Sequence, residues 1–361
     1  MSPKDTKLHY SPLIGADQIA LLERLSNAVA VSGSEGEVRK IVLAEIKDVA
    51  DDIKVDALGN VLAVRHARQE PALRVMLAAH MDEIGFMLVE GEEGLFRFEI
   101  VGGIDVRQLP GKTVLVGKDH LPGVIGNKPI HHTTADERRN AIPLDTLRID
   151  VGIENGKKVK PGDRATFATR FQQIGPSLIG KALDDRLGVA TLIELLRHVP
   201  AHIELQAAFT VQEEVGLRGA RVAAFALDPQ VAIAIDSTPA GDLPRWDGEV
   251  SSQYNTRLDG GPAIYVADKG TLSDPRMLRH LYQTAEAHNI PYQIRQPGGG
   301  GTDAGAIHKQ RAGIPVVSVS IPGRYAHTAA LVTRLDDWQY TLSLLYYALE
   351  RISPAILDVE R

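Results

Sequence analysis

"IELQAAFTVQEEVGLRGARVAAFAL" (residues 203–227) decides the fold class of this chain. Its first nine residues are a short apolar run that reads as a buried strand, and "RGARVAAFAL" (218–227) reads as a helix. Between them stand two adjacent carboxylates, Glu213 and Glu214. A lone buried charge is costly, so this placement asks for a cation or a reacting proton nearby.

The same alternation extends in both directions. "RVMLAAHM" (74–81), "VAIAID" (231–236) and "IPVVSVSIP" (314–322) are strand-like, while "LGVATLIELLRHV" (187–199) and "DPRMLRHLYQTAEAHNI" (274–290) are helical. Near the start, Ser34 precedes Glu37 by three residues, which predicts a helix opened by a capping box. Strands alternating with helices imply an α/β fold, with a mostly parallel mixed sheet flanked by helices on both faces. Residues 89–176 differ. They hold short alternating runs broken by Gly and Pro, the pattern of a small inserted β-barrel. The α/β catalytic domain is then expected over 1–88 and 177–361.

The 361 residues are 44% hydrophobic and 24% charged, enough for a substantial core. The net charge of −6, with no basic block, argues against a nucleic-acid partner. There is no cysteine, so any metal must be held by His, Asp and Glu, a donor set suited to zinc, cobalt or manganese. "MSPKDTKLHYSPLIGADQ" has no apolar core like that of a signal peptide, and no apolar run reaches the roughly 18–20 residues of a membrane span. A cytoplasmic protein with no membrane partner is expected.

In open α/β sheets, ligands bind beyond the carboxyl ends of the strands. Here those ends and turns carry His80 and Asp82 in "AAHMDEIG", Asp184 and Asp185 in "GKALDDRLG", Glu213 and Glu214, Asp236 in "AIDST", and His327 in "GRYAHT". Each alone is ordinary: a structural histidine, a solvated helix cap, a surface acid pair. Their repeated delivery to one edge points to a metal site. A pair of divalent ions needs one bridging carboxylate and one or two terminal ligands each. Two histidines and three carboxylates supply that set and leave one glutamate of the pair to act as general base.

Through these residues the chain resembles the M42 family of metallo-aminopeptidases, which includes glutamyl and tetrahedral aminopeptidases and proteins once described as endoglucanases. The matching stretches are "AAHMDEIGFM", "VIGNKPIHH", "DVGI…VKPGDRATF", "GKALDDRLG", "TVQEEVGLRGA", "AIDST", "GGGGTDAGAIH" and "IPGRYAHT", in the family's order. The resemblance implies a zinc-peptidase-like fold and two divalent ions per subunit (Zn, Co or Mn). His80, Asp184 and Asp236 would surround one ion, and Asp184, Glu214 and His327 the other. Glu213 would be the general base, Asp82 would orient His80 from behind, and Asp185 would stand behind the bridging Asp184, with an unusual peptide bond between the two. It further implies short peptides as substrates, a homo-oligomer of dodecamer type, and a role for the inserted barrel in assembly.

"QPGGGGTDAGAIH" lacks the features of a phosphate loop and reads as a tight turn. Thr302 and Asp303 in it are candidates for the substrate cleft, as are Arg324 and Tyr325 beside His327. His131, His132 and His308 carry no ligand spacing. Two other readings of the chain are a deacylase or other dimetal hydrolase on the same site, and a non-enzymatic assembly protein with a vestigial metal site. A glycosidase using Glu213 and Glu214 is disfavoured, because its two carboxyls must stand ~5–9.5 Å apart across a sugar.

Overall fold

The computed structural model describes residues 12–244 and 255–360. Most of the N-terminal stretch read above for a leader lies outside them. Among the described residues, no helix is long and apolar enough to cross a membrane.

Among the described residues the main sheet has eight strands. They are β1 (Asp52–Val55), β2 (Val61–Arg65), β3 (Leu73–His80), β12 (Ile203–Thr210), β13 (Val231–Pro239), β14 (Ala263–Tyr265), β15 (Gln293–Arg295) and β16 (Val316–Gly323). The barrel inserted after β3 holds β4 (Gly85–Glu92), β5 (Leu95–Val101), β6 (Thr113–Val116), β7 (Leu121–Gly126), β8 (Arg148–Asp150) and β9 (Arg164–Phe167). β10 (Gln172–Ile174), β11 (Ser177–Gly180) and β17 (Leu331–Arg334) form a small third sheet. The helices are α1 (Ala16–Asn27), α2 (Gly36–Ile46), α3 (Ile153–Gly156), α4 (Leu183–Arg197), α5 (Arg218–Leu227), α6 (Pro275–Ala287), α7 (Ala304–Ile307) and α8 (Leu335–Arg351).

The main sheet runs β1-β2-β12-β3-β13-β16-β14-β15. Its centre, β12-β3-β13-β16, is parallel, and antiparallel pairs join β2 to β12 and β14 to β16. Side chains alternate across a strand, and the core divides accordingly. Val75 and Leu77 of β3, with Ile233 and Ile235 of β13, enter one cluster with α1, α2, α4, α6 and α8. Met76, Ala78, Ala232 and Ala234 face the other way, onto Ala220, Ala223 and Ala224 of α5 and Ala304 and Ile307 of α7. Burial on both faces is why these strands read as continuous apolar runs. The mixed α/β sheet and the closed barrel β4-β5-β8-β7-β6-β9 are the architecture expected from the sequence.

Three local expectations change. The barrel strands lie between Gly85 and Phe167, whereas the insert was expected over 89–176, and Gln172–Ile174 pairs with Ser177–Gly180 instead. No capping box forms at Ser34: α2 begins at Gly36, and the Glu37 carboxylate accepts from Val29 N at 3.0 Å and meets His120 Nε2 at 2.6 Å. The strand before the glutamate pair stops at Thr210, so Glu213 and Glu214 stand in the following turn.

Candidate active site

Strand register assembles the first part of the site. Thr210 pairs with His80, and Ala234 of β13 pairs with Ala78 of β3. Two residues further along each strand, Asp236 reaches the same edge as His80 and, by alternation, the same face. His80 Nε2 lies 3.8 Å from Asp236 Oδ1 and 3.4 Å from Asp184 Oδ1.

Asp184 comes from the start of α4, where Asp184 and Asp185 have non-helical dihedral angles and are joined by a cis peptide bond. The two acids point to different partners. Asp185 is fully buried, accepting from His80 N at 3.2 Å and Gly188 N at 3.0 Å. Asp184 faces the cleft, its Oδ2 3.7 Å from His327 Nε2, and His327 Nε2 is 3.6 Å from Glu214 Oε2. Asp184 therefore lies between the two histidines.

The glutamate turn is held from below. Asp82, fully buried, accepts from Glu213 N (3.0 Å), Glu214 N (3.2 Å) and Ser32 Oγ (2.6 Å). Its carboxylate also stands 3.6 Å from His80 Nδ1, and its carbonyl oxygen 3.2 Å. Asn60 pins the far end of the turn, accepting from Val211 N at 2.9 Å and donating to Gly219 O at 3.1 Å. A Cβ on Gly219 would lie 2.3 Å from Asn60 Oδ1 and 2.4 Å from Val211 O, so no larger residue fits there.

The barrel completes the site. Gly103, just after β5, offers its carbonyl 2.8 Å from His327 Nδ1, and Gln108 Nε2 donates to His327 O at 2.9 Å. With Nδ1 donating to that carbonyl, Nε2 is the ring nitrogen left for a metal. A second tie lies beneath the His80 turn. Glu83 Oε2 accepts from Thr166 Oγ1 of β9 at 2.8 Å, and Lys181 Nζ is 2.9 Å from both Glu83 oxygens. Arg186 joins them, donating to Asp82 O at 3.1 Å. Sequence reading missed Gly103, Gln108, Glu83, Lys181 and Arg186 as supports of the site. The adjacency of Glu83 to "HMD" and of Lys181 and Arg186 to "DD" was the available signal.

Among the described residues, two groups of donor atoms meet the spatial requirement of an ion: His80, Asp184 and Asp236, and Asp184, Glu214 and His327. Within each group the atoms lie within 4.8 Å of one another. Tetrahedral bonds of about 2.1 Å put ligand atoms roughly 3.4 Å apart, close to the 3.4–3.8 Å separations seen here. Asp184 Oδ1 is buried without a hydrogen-bond partner, and an orphaned carboxylate oxygen at the junction of both groups is what a bridging ligand would leave. The donor set therefore fits two divalent ions.

Electrostatics agree. In the metal-free cleft, burial raises Asp236 to about 7 and Glu214 to about 8, with Asp184 adding repulsion and the histidines opposing. Burial also drives Glu213 well above its ordinary range, reinforced by Asp236, Asp303 and Glu214 and opposed by His80. Burial alone would lower His80, yet Asp184, Asp236 and Asp82 together hold it well above the usual histidine value. So many carboxylates in one desolvated place carry a large self-repulsion that bound cations would relieve.

A cavity of about 670 Å³ opens over these groups, lined by His80, Asp184, Glu213, Glu214, Asp236 and His327 among others. The remaining substrate candidates do not line it. Thr302 and Asp303, expected at the cleft surface, are 1% and 3% exposed: Thr302 Oγ1 bonds Ser318 Oγ at 2.7 Å, and Thr210 donates to Asp303 at 2.5 Å. Arg324 is engaged by both Asp242 carboxylate oxygens at 2.8 Å, and Tyr325 stands half-exposed outside the cavity. The glycines before Thr302, Gly299 to Gly301, are the part of that loop that reaches the cleft.

The family model for M42 glutamyl aminopeptidases matches residues 59–344. A lysyl aminopeptidase of Pyrococcus furiosus is 33% identical over 347 residues, 92% of this chain and 97% of the relative. An aminopeptidase structure from the archaeon Desulfurococcus kamchatkensis superposes with a TM-score of 0.89 at 34% identity, covering 96% of this chain and 98% of that one. The TET1 peptidase of Pyrococcus horikoshii, described as assembling into a tetrahedron or a large octahedral shell, gives 0.80 at 34% identity over 91% and 98%. A match this long in sequence and this close in fold leaves one conclusion: the chain belongs to the M42 aminopeptidase family of peptidase hydrolases.

Proposed function

We propose that the chain removes amino acids from the free N-termini of short peptides, using two divalent ions and Glu213 as general base. The observation that carries this reading is the position of Asp184 between His80 and His327, with one buried oxygen unpartnered. His80 and Asp236 would complete one ion's protein ligands, and Glu214 and His327 the other's. When bound, the ions supply Lewis-acid polarisation of the scissile carbonyl and a lowered water pKa. Glu213 takes the proton from the attacking water and returns it to the departing amine nitrogen. Asp82 and Asp185 are positioning residues: Asp82 fixes the backbone of the glutamate turn and the His80 ring, and Asp185 holds the His80 backbone. The substrate's free α-amine would lie against a carboxylate of the cleft, which accounts for cleavage at the chain end only.

The shell-forming TET1 relative supports a homo-oligomer, with a dodecamer as the expected form. We further assign the sheets and helices on either side of the barrel to the catalytic part and the barrel to assembly, and place the protein in the cytoplasm.

The test is hydrolysis of aminoacyl anilides and short peptides, blocked and unblocked at the N-terminus, after chelation and after adding back zinc, cobalt or manganese. Metal-dependent release of the first residue from unblocked peptides only is the expected result. Cleavage confined to acylated substrates would make the protein a deacylase. No turnover with any metal would leave the vestigial-site reading.

A further inference from the structure

Away from the cleft, a cavity of about 310 Å³ lies where α6 meets the end of α8, and it shares no residue with the candidate active site. Arg276, Arg279, His280 and Gln283 reach it from α6. Their spacing of i, i+3, i+4 and i+7 puts them on one helix face. Arg351, the last residue of α8, faces them, and the chain that follows supplies apolar ground through Ile352 and Ile356. Three guanidiniums thus line one small space, and among the described residues no carboxylate lines it with them. Arg276 is matched by Asp274, with Nε and Nη2 at 3.0 and 2.9 Å from its oxygens. Arg279 and Arg351 are exposed and have no carboxylate partner among the described residues. Arg279 Nη2 is held by the Glu360 carbonyl oxygen at 3.1 Å. Arg351 stands close enough to His280 to act on it: burial lowers that imidazole, the Ala348 carbonyl opposes, and Arg351 adds to the lowering.

Helix electrostatics do not account for this grouping. An arginine at the end of α8 complements the dipole of that helix, but Arg276 and Arg279 stand in the first two turns of α6, the end that disfavours cations. Like charges gathered over apolar ground repel one another, and a bound anion relieves that repulsion. The planar fork of a guanidinium matches the oxygens of a phosphate, and several forks around one space can share a single dianion. The volume suits a phosphate with a small organic body attached. We propose that this pocket is a binding site for a phosphate group, held by Arg279 and Arg351 with the Arg276–Asp274 pair behind them. The site is independent of the peptidase reading. Two sources offer that chemistry: inorganic phosphate, and a phosphate monoester of a small metabolite.

The experiment titrates the full chain by calorimetry with inorganic phosphate and with glycerol 3-phosphate. Wild type is compared with Arg279→Gln, Arg351→Gln and the double variant. Both arginines are exposed, so without phosphate the variants should keep the wild-type melting temperature. Wild type is expected to bind, each single variant to lose about tenfold in affinity, and the double variant more. Phosphate should also raise the melting temperature of wild type, and that of the double variant less. Equal affinity for the two ligands would identify the phosphate group alone as what is recognised. A monoester bound at least about tenfold tighter would identify an organic phosphate. Either result supports the assignment when the variants weaken it. Phosphate held instead by ions in the cleft would bind wild type and variants alike. Affinities that do not differ between wild type and the double variant, or no binding by wild type at millimolar phosphate, overturn the assignment.

Discussion

Glu213→Gln separates the chemistry of the cleft from its architecture. Among the described residues, the Glu213 carboxylate has no hydrogen-bond or ion-pair partner, so the isosteric amide breaks no contact. Its backbone N–H, which donates to Asp82, is unchanged. The glutamine cannot accept a proton, however, and general-base catalysis contributes about 10²–10⁴ in rate, equivalent to roughly 2.7–5.4 kcal/mol of barrier. The expected result is a loss of that size in kcat on a leucine anilide, with two ions per chain retained by elemental analysis. The metal-free proteins should differ in the opposite sense. The folded-state pKa of Glu213 is raised above its ordinary 4.5, so the group costs stability once pH exceeds that value, increasingly up to the folded pKa. Glutamine has no such cost. Metal-free Glu213→Gln should therefore melt above metal-free wild type at pH 7–8 and converge with it near pH 4. A variant with full metal content and kcat within about threefold of wild type would refute the base assignment. A lower melting temperature at pH 8 would refute the electrostatic argument.

Asp82→Asn should weaken metal binding and kcat about 10–100-fold each, with the fold retained. One of the acceptor oxygens that serve Ser32, Glu213 N and Glu214 N becomes a donor. A zinc titration with a competing chelator reads the affinity, and wild-type affinity would remove Asp82 from its positioning role. Gly219→Ala drives a methyl into Asn60 and the Val211 backbone. It should cost about 1–3 kcal/mol in urea unfolding and lower kcat by displacing the glutamate turn, whereas an unchanged midpoint would mean that the turn yields freely.

The central strands were legible because burial on both faces leaves a continuous apolar run, as in β3, β12, β13 and β16. The ionisable residues at their ends could be gathered from the rule that α/β sheets bind ligands at that edge, and His80 and Asp236 meet through register alone. Contacts between distant segments were not legible. Nothing local to His327 announces a bond to Gly103, more than two hundred residues earlier. Thr302 and Asp303 looked like cleft residues because polar side chains follow a glycine run, but Ser318 and Thr210 meet them in the interior. The capping box at Ser34 failed for the same reason: Glu37 found partners outside its own helix, Val29 and His120. Local pattern locates elements and proposes chemistry, and tertiary competition decides which polar groups are free to perform it.

The two ties from barrel to sheet, Gly103 to His327 and Thr166 to Glu83, bear on how the chain can be shortened or recombined. A deletion of residues 85–170 would leave every residue of the large hydrophobic core in the chain, yet it would free an imidazole from its orienting carbonyl and strip a hydroxyl from a buried ionic cluster. Grafting a foreign barrel would raise the same difficulty unless it delivered both groups at the same spacing. The insert is thus a structural component of the candidate reaction centre, and lineages or designers that alter it must change it in step with residues on the other side of the cleft.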